Sequence, residues 1–147
     1  MADARLRGIH VAVAGDDPIA LAQLTQSLRD DGALVTVHDS APALARFMRL
    51  LIVNVLVVDV GTPSDGAFTL IRDVRALSPD EGGRVPIVVL FAGPPHDEQR
   101  LVAADVDSTV RKPADASEIS RVIKGVFAAS PARVRDEPKR LDARRDQ

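Results

Sequence analysis

The sequence predicts one α/β domain, a five-stranded parallel sheet with helices on both faces. Three observations carry this prediction. The chain has 147 residues, room for one hydrophobic core and too little for two ordinary domains. Its strand-like segments are short, rich in Val and Ile, and read as solid apolar runs, which suits strands covered on both faces. Longer segments with apolar residues at helical spacing separate them, and regular β–α alternation favours parallel strands joined by right-handed crossovers.

The elements follow in order. Residues 8–14 form a β-branched run that ends at turn residues, the first strand. Asp17-Pro18 then opens a helix, with proline in its first turn and Ile19, Leu21, Leu24 and Leu28 at helical spacing. Gly32 is its C-terminal stop. Residues 33–38 make the second strand, and Ser40 caps a helix over 41–51. The third strand is placed at 54–58, and residues 61–66 are a loop by their Gly, Pro, Ser and Asp content. A helix over 67–77 carries Phe68, Leu70, Ile71 and Val74 on one face. After a polar turn at 78–84 come a fourth strand at 85–91, a weaker helix at 96–104 and a fifth strand at 107–110. Asp115 or Ser117 caps the last helix, which ends near 129. The chain thus divides into a lead-in over 1–7, a flavodoxin-like domain over 8–129 and a charged tail over 130–147 that is expected to be disordered.

Composition excludes several functions. There is no cysteine, so disulfides, thiolate metal sites and cysteine nucleophiles are absent. Trp and Tyr are absent too, which argues against base-stacking platforms. Residues 131–147 hold six basic and four acidic side chains, net +2; with a chain total of −2, residues 1–130 carry −4. An acidic body with a short basic tail is no nucleic-acid footprint, and no apolar run is long enough for a membrane span. The first residues lack a signal-peptide core, so a cytoplasmic location is the default expectation. His10, inside a strand, is expected to pack in the fold, whereas His38 and His96 are expected at the surface. No two of the three have zinc spacing. Gly-x-Ser-x-Gly and Gly-x-Gly-x-x-Gly motifs are missing.

Ligands of doubly wound sheets sit outside the carboxyl ends of the strands. There the sequence puts Asp16 and Asp17 after the first strand, Asp59 after the third and Lys112 after the fifth. Neighbouring carboxylates repel unless a cation intervenes, and Mg²⁺ with its oxygen ligands is a natural mediator. A lysine ammonium suits a phosphoryl oxygen, and an aspartate carboxylate can accept a phosphoryl group. Each residue also has an ordinary reading: Asp17 as an N-cap, Asp59 as a turn residue, Lys112 as a solvated charge. A small-ligand binder or a hydrolase with an aspartate nucleophile is another reading of the same fold. Such a phosphatase would show a second Asp two residues after the nucleophile, where this chain has Gly61.

The segments VAVAGDDP (11–18), VLVVD (55–59) with Thr62-Pro63 and Asp65-Gly66, VPIVVL (85–90) and VRKP (110–113) resemble the receiver domain of bacterial response regulators. The resemblance spans residues 8–128, and its specificity lies in the order and spacing of motifs that are individually weak. It implies a phosphoacceptor at Asp59, a phosphoryl contact from Lys112 through a Lys-Pro bond that is usually cis, and Mg²⁺ held by Asp16, Asp59 and the backbone carbonyl of Gly61. Three positions depart from the family. Gly15 stands where the first acid of a pair belongs, Phe91 replaces the Thr or Ser that bonds the phosphoryl group, and Thr109 replaces the aromatic switch residue. The loop over 63–66 is one residue shorter than the common pattern.

The resemblance implies a stand-alone receiver of a two-component phosphorelay. A sensor histidine kinase or histidine phosphotransfer protein would phosphorylate Asp59, and protein–protein contacts with a downstream partner would carry the signal. The activity expected is at most self-catalysed phosphoryl transfer to Asp59 and its hydrolysis, without small-molecule turnover. A homodimer is left open; nucleic acid and membrane are not expected partners. Gly15 should weaken Mg²⁺ binding, and Phe91 could shield Asp59 or clash with a phosphoryl group. The alternative is a phosphorylation-independent pseudo-receiver, an interaction module that kept the fold and lost the switch.

Overall fold

The computed structural model describes residues 4–61 and 65–130. Five strands, β1 (His10–Gly15), β2 (Leu34–Val37), β3 (Val55–Asp59), β4 (Ile87–Phe91) and β5 (Ser108–Arg111), alternate with α1 (Pro18–Asp30), α2 (Ala41–Leu50), α3 (Asp65–Arg75), α4 (Pro95–Ala103) and α5 (Ala116–Ala129). All pairings are parallel and the strand order is β2-β1-β3-β4-β5. The fold class is the one expected from the sequence. Thr62-Pro63, the length of the 63–66 loop and the tail from 131 onward lie outside the described residues. No described helix is long and apolar enough to cross a membrane.

Local chemistry sets the helix starts. Asp17 is the N-cap of α1 and accepts the amides of Ile19 and Ala20. Ser40 accepts the Ala43 amide at α2, and Asp115, not Ser117, accepts the Glu118 amide at α5. Gly32, past the end of α1, has φ +99° and comes so close to Ala4 and Arg7 that a side chain there would collide with them.

The core lies in two layers on either face of the sheet. One joins Val11, Val13, Val55 and Val57 to Leu24 and Leu28 of α1 and Ile119 and Ile123 of α5. The other joins Ala12, Leu56, Val58 and Ile87 to α2, α3 and α4 through Leu44, Ile71 and Leu101. Leu6 is fully buried in the first layer, so packing begins ahead of β1. Ile19, at helical spacing with Leu24 and Leu28, is nonetheless 72% exposed, because the helix turns Leu24, Thr25 and Leu28 inward. Strand ends shift by one or two residues from the sequence reading, and one shift matters: β3 extends through Asp59, which the ladder therefore holds.

Arg75 ties one end of the sheet together. Its guanidinium donates to the carbonyls of Asp105, Gly83 and Val85 and to the Asp107 carboxylate, which also accepts the Ile87 amide. A planar group with five donors can satisfy so many acceptors at once.

Candidate functional site

The register brings the site together. Gly15 of β1 lies opposite Asp59 of β3, and Asp59 lies opposite Leu90 of β4. Beyond β5 the chain enters Lys112-Pro113 through a cis peptide bond. The Lys112 amide donates to the Phe91 carbonyl at 2.7 Å, which anchors the residue beside the end of β4.

Asp59 is 7% exposed. Its Oδ1 accepts the Lys112 ammonium at 2.6 Å. A buried carboxylate needs such a partner, because the cost of leaving water is recovered only by pairing and hydrogen bonding. Oδ2 has no protein hydrogen-bond partner among the described residues and is the oxygen left for chemistry. Asp16 follows Gly15 at the same rim, is exposed and makes no hydrogen bond or ion pair with a described residue. The Gly61 carbonyl accepts the Ala92 amide at 2.9 Å, so one of its two lone pairs is taken. Asp17 accepts two α1 amides through Oδ1, the N-cap role expected of it.

The three departing positions each have a structural counterpart. A Cβ at Gly15 would stand 2.6 Å from the Asp59 carbonyl oxygen, so the close approach of β1 to β3 leaves no room for a side chain there. Phe91 is 1% exposed and belongs to the core layer under α2, α3 and α4. Of its two readings, a shield over Asp59 or a core residue, the second holds: the alternation of β4 turns its ring into the apolar layer, where burial of an aromatic stabilises most. Arg111, directly across from it, sets its guanidinium 4.8 Å from the ring centroid. Thr109 donates to Glu98 of α4 at 3.1 Å, and Arg111 donates to the Gly93 carbonyl and lies 3.9 Å from Glu98. Arg111 and Glu98 were not singled out in the sequence. The signal for Arg111 was its place on the strand directly opposite Phe91.

His38 is also corrected. It is 8% exposed, not a surface residue, because the loop after β2 folds it against Phe47 of α2, ring centroids 4.8 Å apart. His10 also packs against this ring, edge-on at 5.4 Å. Burial lowers the pKa of both imidazoles below the ordinary 6.5. His96 stands at the surface, 3.4 Å from Asp97.

No family model matches the chain. Solved structures share its architecture at low identity. The receiver domain of sensor histidine kinase PA1611 from Pseudomonas aeruginosa PAO1, with a magnesium ion coordinated in its active-site cleft, superposes with a TM-score of 0.70 at 22% identity, over 82% of this chain and 98% of that one. The signal receiver domain of a histidine kinase from Syntrophus aciditrophicus gives 0.69 at 18%, over 83% and 92%. A CheY-like receiver protein from Methanospirillum hungatei JF-1 gives 0.67 at 17%, over 84% and 95%. In sequence, an uncharacterized 14.6 kDa protein of Leptolyngbya boryana is 30% identical over 127 residues, covering 86% of this chain and 95% of that protein. The chain belongs with the Leptolyngbya protein to one family, and its fold is that of the response-regulator receiver domain. Protein PetR of Rhodobacter capsulatus is 28% identical over 133 residues, and the chain spans 54% of its length.

Within the receiver fold, Asp59 and Lys112 meet at the carboxyl edge of the sheet. Gly15 faces Asp59 across β1 and β3, while Phe91 is turned into the core and Thr109 is hydrogen-bonded to Glu98.

Proposed function

We propose that this receiver-fold protein works in two-component signalling by accepting a phosphoryl group on Asp59 from a sensor histidine kinase or a histidine phosphotransfer protein. One observation carries the reading: a buried carboxylate with one oxygen held 2.6 Å from a lysine ammonium and the other without a partner among the described residues. Asp59 Oδ2 attacks phosphorus, and an O–P bond forms. The P–N bond of the phosphohistidine donor breaks, its electron pair stays on the imidazole nitrogen, and that nitrogen is protonated from solvent. Lys112, fixed through its amide and its Nζ, compensates charge on the phosphoryl oxygens as they arrive.

The donor set fits a hard divalent cation of the Mg²⁺ type, which takes one or two carboxylates and keeps several waters. Asp16, Asp59 and the remaining lone pair of the Gly61 carbonyl would hold it. When bound it would neutralise charge on the transferring oxygens. The described residues contain no cluster of three or more carboxylate or imidazole groups arranged for a metal. With Gly15 in place of an acid, binding is expected to be weak.

Phe91 in the core and Thr109 tied to Glu98 favour an output that does not run through a hydroxyl–aromatic pair. They are also what a pseudo-receiver would show. Intact mass spectrometry separates the two readings. The protein is incubated with Mg²⁺ and a small-molecule phosphodonor, beside Asp59→Asn. A phosphate-sized gain absent from the variant supports phosphorylation. No gain in either protein overturns it in favour of the interaction module.

A further inference from the structure

A cavity of about 360 Å³ opens between α2 and α3, next to the strand ends, and neither Asp59 nor Lys112 lines it. Its floor is apolar, with Ala14, Val58 and Leu70, while Asp16, Asp39 and Asp73 stand around it. None of these carboxylates is in an ion pair with a described residue, and among the described residues no Lys or Arg lines the cavity. The negative potential of the rim is therefore uncompensated locally. A second cavity of about 190 Å³ shares Ala41, Pro42 and Asp73 and continues along Ala45, Val74 and Leu77 as an apolar groove.

His38 forms part of the first cavity's wall, and its free nitrogen can be assigned. His10 Nδ1 lies 2.9 Å from the Ile52 carbonyl, which can only accept, so Nδ1 carries the proton. Burial favours the neutral form of both rings. His10 Nε2 is then a bare acceptor and takes the hydroxyl proton of Thr36, 2.9 Å away. The Thr36 oxygen, its one proton spent, accepts from His38 Nε2 at 2.8 Å. His38 Nδ1 is left as an unprotonated acceptor on a side chain that is 8% exposed, with no partner among the described residues. The atom stays within reach of solvent, so a donor entering the cavity can take the place of water on it.

A ligand for this cavity must bring N–H donors, positive charge and an aliphatic stem. A guanidinium combines several donors in a fixed plane with weak hydration, so it enters a largely apolar cavity at a lower desolvation cost than an ammonium does. We propose that the α2–α3 cavity binds an alkylguanidinium group, with its charge between Asp39 and Asp73, one N–H on His38 Nδ1 and its stem along the apolar floor. The proposal stands apart from phosphorylation of Asp59, and its test does not involve that reaction.

The test is an NMR titration of the isotope-labelled full chain in magnesium-free buffer, with n-butylguanidinium as probe and neutral n-butylurea as control. Saturable shifts are expected at the His38 ring and at the backbone of residues 14, 41 and 70, with the urea binding at least about tenfold more weakly. Asp39 and Asp73 are exposed, so Asp39→Asn/Asp73→Asn should keep the fold and lower guanidinium affinity by about tenfold. Equal binding of both probes, an unaltered affinity in the double variant, or no saturable shift would overturn the proposal.

Discussion

Gly15 and Asp59 face each other across β1 and β3, and a Cβ on the glycine would lie 2.6 Å from the aspartate carbonyl oxygen. The missing acid is therefore a matter of space as well as charge. Where the receiver pattern puts a carboxylate, this chain brings two strands too close for any side chain. Restoring the acid by Gly15→Asp should cost about 1–3 kcal/mol, the usual penalty of overpacking, and Gly15→Ala should cost a similar amount. Urea unfolding of both variants checks this. A loss confined to the aspartate would point to charge repulsion rather than contact.

Lys112 and Asp59 should be strongly coupled. Lys112→Met leaves a carboxylate that is 7% exposed without its cation and is expected to destabilise the fold by about 1–3 kcal/mol, less than a fully buried pair because the lysine side chain is 30% exposed. Asp59→Asn in the same background should recover part of that loss, since no uncompensated charge remains. A double-mutant cycle measures the coupling, and additive effects would contradict the contact.

Phe91 should behave as a core residue. Phe91→Ala is expected to cost about 3–5 kcal/mol, the range for truncating a buried aromatic. It also removes the ring on which Arg111 rests. Phe91→Thr, which supplies the family's hydroxyl, should be nearly as costly, because a hydroxyl in the apolar layer lacks a partner. Denaturation midpoints decide the matter. A near-neutral Phe91→Ala would mean that the ring does not fill the layer.

Stability should fall in mild acid through the two buried imidazoles. Burial lowers the folded-state pKa of His10 and His38 below 6.5, so well above that value neither state is protonated and they contribute no pH dependence. As pH drops below about 6.5 the unfolded chain takes up protons that the folded chain refuses, and stability declines until the folded groups titrate in turn. The urea midpoint of the native protein should therefore fall between about pH 7 and pH 5.5 more steeply than that of His38→Gln. Parallel curves would remove His38 from the account.

Much of the fold was legible along the chain. Helix starts are local: Asp17, Ser40 and Asp115 meet the amides two or three residues on, an interaction independent of the rest of the molecule. The parallel sheet followed from solid apolar runs separated by helical periods. His38 was misread because a polar residue at a strand end looks solvated. Its burial depends on Phe47, nine positions away, whose ring packs against both it and His10. Ile19 fits the spacing of α1 and yet lies outside its buried face, because apolar spacing identifies a helix but not how far its inner face extends.

By itself, the order of residues determined an alternating α/β domain with Asp16, Asp59 and Lys112 beyond its strand ends, since periodicity and capping act over a few neighbours. Tertiary structure decided that Lys112 reaches Asp59, that Gly15 is hemmed in by a carbonyl, and that Phe91 turns inward. These depend on strand register and on which face each helix covers, and contacts between residues tens of positions apart set both.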